Sequence, residues 1–114
     1  SGINSSIVEL VDLFPTACEL TGLPIPKSVE GKSLAPILFG SKTKIKDSAL
    51  SFIPRGTSLR TKEWSYMKYK DGSEELYDMR KDPKQFDNLA GKSKHRKQLS
   101  SIRNLFENRM KSIR

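Results

Sequence analysis

One cysteine, one histidine and one tryptophan among 114 residues leave little material for metal or nucleophile chemistry. Cys18 alone can form neither an internal disulfide nor a cysteine zinc cluster. Within Thr16-Ala17-Cys18-Glu19-Leu20 it falls on the apolar side of an expected helix and reads as a small buried hydrophobe. His95 lies inside Lys92-Ser-Lys-His-Arg-Lys97 with no second ligand type nearby, so it reads as part of a solvated basic turn. Neither a Ser-His-Asp nor a Cys-His arrangement can be assembled from this inventory. Apolar runs are also short: none approaches the ~20 residues of a membrane span. No basic-then-apolar leader opens the sequence, so either a cytoplasmic protein or a leader upstream of Ser1 is expected. Hydrophobic residues make up 35% and aromatics 8%, modest for a domain that must stand alone. Part of the apolar surface is therefore expected to belong against something outside the chain.

What is plentiful is positive charge. Twenty-one Lys and Arg against thirteen Asp and Glu give +8, a balance that attracts nucleic acid and sulfated polysaccharide alike without choosing between them. The length suits one small core, not a large catalytic fold. No Gly-rich or aromatic RNA-binding signature accompanies the charge, and Glu107 interrupts the basic face of the last helix. A nucleic-acid module or a protein-interaction module thus stands as the alternative reading only.

Along the chain, Asn4-Ser5-Ser6 fits a glycosylation acceptor. The β-branched run Ile7–Val11 reads as a short buried strand or a helix lead-in. Asp12 is expected to be an N-cap, a reading that fits its spacing to Pro15 better than metal ligation does. The helix it opens should run to about Thr21, stop at Gly22, and bury Val11, Phe14, Cys18 and residues of Leu20–Leu23. Two prolines make Leu23–Lys27 an extended arm. Ser33 then caps a brief helix through Leu34, Ile37 and Leu38, ended by Gly40. Residues 1–40 form a helical segment and 41–47 a Lys-rich linker.

From Ser48 the period changes to two. Ser48–Ile53, Thr57–Thr61, Trp64–Tyr69 and Glu74–Tyr77 read as four strands, with Asp71-Gly72 as a hairpin turn, which predicts an antiparallel meander. Its cover is a helix over about Ser93–Ile113, where Leu99, Ile102, Leu105 or Phe106, Met110 and Ile113 recur at three to four residues. Leu76 and Tyr77 are the core-seeking end of the last strand, Asp82-Pro83 forces a turn, and Asn88-Leu89-Ala90 pins the chain before the helix. Pro54 and Gly56 leave Arg55 at an exposed tip between two strands, whereas Arg60 sits inside a strand and serves the sheet or a local ion pair.

Glu75-Leu-Tyr-Asp78 followed by Asp82-Pro-Lys-Gln-Phe-Asp-Asn-Leu-Ala90 resembles, in order, the "ELYDL..DP.E..NLA" signature near the C-terminus of type I sulfatases. Val8-Glu-Leu-Val-Asp-Leu-Phe-Pro-Thr16 with Gly22-Leu-Pro and Glu30-Gly-Lys-Ser-Leu-Ala-Pro-Ile-Leu38 is similar to that family's "velvDlfPT" and "dGkSLaPlL" wording. Ser58-Leu59-Arg60-Thr61, Trp64 and Tyr69 match its "sLRt..wkYi". The region around Phe52–Thr61, with Pro54-Arg55, looks most like the iduronate-2-sulfatase branch. The resemblance implies an α+β fold: a four-stranded antiparallel sheet with a packed C-terminal helix over 48–114, preceded by helices that end an alkaline-phosphatase-like large domain. It implies as well that Arg55 lies near a cleft for an anionic sulfated sugar, and that the N-terminal sulfatase domain is the partner. The family's formylglycine, made within C-x-P-x-R, and its calcium are expected in that N-terminal domain. Cys18 precedes Glu19, Leu20 and Thr21, so this segment supplies no catalytic residue, metal ligand or cofactor of its own and should not act alone. The apolar face of Ile7–Leu23 should pack into the large domain or, without it, drive self-association. The parent enzyme is expected to be secreted, periplasmic or lysosomal.

Overall fold

Glycines with positive φ close several elements of the chain. In the computed structural model, which describes residues 2–113, α1 (Leu13–Leu20) gives way to Gly22 at φ +76°. There the Leu23 N–H turns back to the Cys18 carbonyl at 2.8 Å. The brief α2 (Ala35–Leu38) begins after Ser33, whose Oγ accepts the Ala35 N–H at 3.1 Å, and ends at Gly40 with φ +77°. The chain forms two units, one reaching Ala49 and one beginning at Leu50, so the division falls inside the first strand.

Several expectations for the first unit are corrected. Of the two readings of Ile7–Val11 the strand does not form and the helix lead-in does: a 3-10 turn at Leu10–Asp12 leads into α1, because Asp12 ties back to the Glu9 N–H. Asp12 accordingly makes no side-chain cap bond to α1. The helix buries Pro15, Thr16 and Cys18, while Val11 and Phe14 stand half-exposed and Leu10 is 85% exposed. The reason is a polar joint that outranks hydrophobicity. Gly31 lies so close that a Cβ there would fall 1.9 Å from the Val11 carbonyl oxygen. That approach lets the Lys32 N–H donate to Asp12 Oδ1 at 2.9 Å and the Leu34 N–H to Thr16 Oγ1 at 2.8 Å. The Asp-Leu-Phe-Pro-Thr and Gly-Lys-Ser-Leu blocks are thus two halves of one structure. The stretch 41–47 is no loose spacer either, since Lys46 reaches Asp12 and Glu9.

The second unit follows the sequence closely. Strands β1 (Ser48–Ile53), β2 (Gly56–Thr61), β3 (Trp64–Tyr69) and β4 (Glu74–Asp78) form one sheet in the order β1-β2-β3-β4. The antiparallel register sets Leu59 opposite Tyr66, and Tyr66 opposite Leu76. A 3-10 turn at Ser93–His95 leads into α3 (Arg96–Lys111), whose Leu99, Ile102 and Phe106 join Leu50, Leu59, Tyr66, Leu76 and Leu89 in the core. Tyr66 and Phe106 meet edge to face, ring centroids 5.3 Å apart. Fully burying a Leu such as Leu59 contributes roughly 2–3 kcal/mol. Asn88 fastens the joint before α3: its Oδ1 accepts the N–H groups of Leu76 and Ala90, both at 3.0 Å, and the Leu89 N–H donates to the Leu76 carbonyl at 2.8 Å. His95 is not the solvated residue expected; it is half-buried with its ring edge-on to Trp64, centroids 6.5 Å apart.

Candidate functional site

Pro54 and Arg55 make the two-residue turn between β1 and β2. Gly56 follows, pressed so closely on β3 that a Cβ would fall 2.5 Å from the Lys68 carbonyl oxygen. This intimacy lets the Arg55 carbonyl accept the Lys70 N–H at 2.9 Å, which locks the β1–β2 turn beside the β3–β4 turn. Arg55 is exposed, as its place between Pro54 and Gly56 predicted, and Lys70 is exposed beside it. With Tyr69, Ser73, Glu75 and Asn88 they line a groove of about 600 Å³. Arg60 lies in β2 opposite Ser65 and is absent from that lining.

Behind the two cations stands a carboxylate with fixed donors. Glu75 accepts from the Tyr69 hydroxyl and from the Tyr77 hydroxyl, the latter at 2.9 Å. Burial and the Glu75 carboxylate push the Tyr77 hydroxyl up to about 12, and the hydrogen bond to Glu75 raises Tyr69 as well. Both phenols remain protonated donors at neutral pH. Glu74, which also lines the groove, has its carboxylate taken by Arg103 of α3 and by the Tyr66 hydroxyl at 2.6 Å. The groove accordingly sets two cations and an aromatic face beside the carboxylates of Asp71, Glu74 and Glu75. Arg55 and Lys70 are the groups that an anionic sugar would meet: guanidinium pairs bidentately with sulfate or carboxylate, and ammonium adds a point charge. Sequence reading found Arg55 but missed Lys70, Tyr69 and Glu75; the Asp71-Gly72 turn signal was the one clue that Lys70 would flank a hairpin tip.

Cys18 and Asp12, the other residues weighed for chemistry, are committed to structure. Cys18 is buried and free, inside α1. Both Asp12 oxygens already accept from N–H donors or the Lys46 ammonium. Among the described residues no three of His, Cys, Asp and Glu come together as a metal site.

Residues 1–113 match the family model described as "N-sulphoglucosamine sulphohydrolase, C-terminal". A Delta 4,5-hexuronate-2-O-sulfatase of Bacteroides thetaiotaomicron is 37% identical over 107 residues, which cover 85% of this chain and 22% of that protein. Arylsulfatase K of Bos taurus is 33% identical over 104 residues, covering 77% of this chain and 19% of that protein. A solved 2-O GAG sulfatase superposes with a TM-score of 0.78 at 36% identity, over 89% of this chain and 24% of its own. A phosphonate monoester hydrolase of Agrobacterium radiobacter shares the fold at TM-score 0.72 and 22% identity, over 90% of this chain and 25% of its own. Against these relatives the chain spans about a fifth to a quarter of their length. The chain belongs to the N-sulphoglucosamine sulphohydrolase C-terminal family.

Proposed function

We propose that the complete protein is a sulfuric ester hydrolase acting on sulfated glycosaminoglycan sugars, and that this segment forms part of the rim that receives the sugar without catalysing alone. The observation that carries the rim role is the union of Arg55 and Lys70 across two locked turns, with Tyr69 and Glu75 alongside. Support for the substrate class comes from relatives named as a hexuronate-2-O-sulfatase and a 2-O GAG sulfatase. Calcium and formylglycine belong to the N-terminal domain in this reading, because Cys18 is buried and lacks the C-x-P-x-R context, and Asp12 has no oxygen to spare. The same domain is the proposed cover for the exposed Leu10, Leu13, Phe14 and Leu23 of the first unit.

A charge-assisted contact contributes roughly 1.5–3 kcal/mol, so Arg55→Ala in the complete enzyme should lower kcat/KM about 10- to 150-fold on an anionic sugar sulfate while thermal stability barely changes. Arg60→Ala is the control and should not reproduce that pattern. Unaltered kinetics for Arg55→Ala, or activity lost only in step with unfolding, would remove Arg55 from the substrate contact.

A further inference from the structure

A second groove, of about 360 Å³, lies in the second unit between the β2–β3 turn and the start of α3. Trp64 and Thr61 form one wall, Lys97, Gln98 and Ser101 the other, with Ile102 beneath. Thr61 Oγ1 accepts the Trp64 backbone N–H at 3.0 Å, and over the indole the Arg80 guanidinium sits 5.5 Å from the ring centroid, itself held by Asp78 at 3.1 Å. His95 abuts the ring edge-on, and its buried Nδ1 has no hydrogen-bond partner among the described residues.

The half of the sequence that holds this groove carries the excess charge. Residues 1–49 carry five Lys and Arg against five Asp and Glu, whereas residues 50–114 carry sixteen against eight, so the whole excess of +8 resides in the second half. There the acids are largely engaged: Asp78 with Arg80, Asp87 with Lys92, Glu74 with Arg103, Glu107 with Lys68. Lys97 in the groove wall, and Lys94 and Arg96 on the same turn, have no ion-pair partner among the described residues.

We propose that this groove is a second saccharide subsite, separate from Arg55, that takes one anionic sugar unit of a sulfated polysaccharide chain. The sugar ring lies against the part of Trp64 that lines the groove, Gln98 and Ser101 meet its hydroxyls, and its sulfate or carboxylate faces Lys97, with Lys94 and Arg96 nearby in sequence. The geometry favours a saccharide over nucleic acid: single strands are held by successive aromatic platforms along a basic track, and here one aromatic ring stands in a space of one sugar unit's order. The proposal rests on the reading that the enzyme meets sulfated saccharide chains.

The test uses the full-length protein, a heparin-derived hexasaccharide as probe for calorimetry at near-physiological salt, and turnover of a chromogenic aryl sulfate. Lys97→Glu should weaken hexasaccharide binding about 10-fold or more, and Gln98→Ala by a few-fold, with aryl sulfate turnover unchanged in both. Lys111→Glu makes the same charge change roughly 20 Å along α3 and should cost less than about 2-fold. Equal losses for Lys97→Glu and Lys111→Glu would mean diffuse attraction and overturn the subsite, as would single-stranded DNA of matched charge competing equally. Wild-type protein that binds the hexasaccharide with Lys97→Glu unaffected overturns the subsite alone; wild-type protein that neither binds nor desulfates it overturns the substrate reading beneath it too.

Discussion

Lys46 Nζ lies 2.7 Å from Oδ1 of Asp12, a carboxylate with no exposed surface, although the two residues are 34 apart in sequence. The same ammonium reaches Glu9 Oε1 at 3.0 Å. Burial works to raise the Asp12 carboxyl, but the Lys46 ammonium and the N–H groups of Lys32 and Glu9 more than offset it and hold the group below the usual carboxylate range.

Removing the cation should therefore be costly. Lys46→Met leaves a buried carboxylate with backbone donors only, for an expected loss of about 3–5 kcal/mol. It should appear as lost hydrogen-exchange protection at the Lys32 and Leu34 amides, and as an upward move of the Asp12 pKa in an NMR titration. In the unaltered chain the Asp12 pKa is depressed on folding, so its contribution is present above 3.8 and disappears as pH falls through the folded value. Unchanged protection in Lys46→Met would show the cluster to be incidental.

Arg103 and Glu74 give a second acid-sensitive link, in the other unit. Arg103 pulls the Glu74 carboxyl down to about 2 against the opposing effect of burial, with the Tyr66 hydroxyl assisting. The stabilisation is full above the ordinary 4.5 and is lost as pH falls from there towards about 2. Arg103 is half-exposed, and solvent screening reduces the worth of the pair to about 1 kcal/mol. Arg103→Gln should shift the acid unfolding midpoint of the second unit to higher pH while leaving neutral-pH stability only slightly lower; identical acid curves would contradict this.

Gly56 couples the sheet to the Arg55 groove. A methyl group there collides with backbone, the Lys68 carbonyl, which cannot swing aside as a side chain would. Gly56→Ala should cost about 1–3 kcal/mol and part the two turns. Faster exchange at the Lys70 amide is the direct readout, and in the complete enzyme kcat/KM should fall although Arg55 itself is intact. A variant with normal exchange and normal kinetics would show that the turns are not coupled.

The free chain should also associate. Leu10, Val11, Leu13, Phe14, Leu20 and Leu23 of the first unit are all at least half-exposed. Burying even ~400 Å² of such surface is worth of order 10 kcal/mol before association entropy is subtracted. Sedimentation of the isolated chain should reveal oligomers that Phe14→Asp weakens. A strict monomer at high concentration, with α1 protected from exchange, would argue against it.

The second unit was legible in the sequence because its stabilisation is periodic. Leu59, Tyr66 and Leu76 occupy facing positions that alternation alone marks, and Leu99, Ile102 and Phe106 lie one helical turn apart. The first unit was less legible because its burial follows polar partners distant in sequence. Hydrophobicity pointed to Val11 and Phe14 as the inner face of α1, yet Asp12 and Thr16 are inside, matched to Lys32, Leu34 and Lys46 across 18 to 34 residues. Local spacing likewise suggested a cap at Asp12 and could not show those partners. Lys70 and Glu75 escaped notice because a groove formed by two turns has no signature in either turn, and the basic run around His95 hid its packing on Trp64.

The tether at Leu76 bears on how the free domain can go wrong. An edge strand with unspent N–H and C=O groups is a template on which another chain can build a continuous sheet. On β4 both backbone groups of Leu76 are already taken by Asn88 and Leu89 of the same chain, in the middle of the strand. Growth of fibrils through that edge is therefore capped from within, which leaves β1 as the edge through which a second chain could extend the sheet.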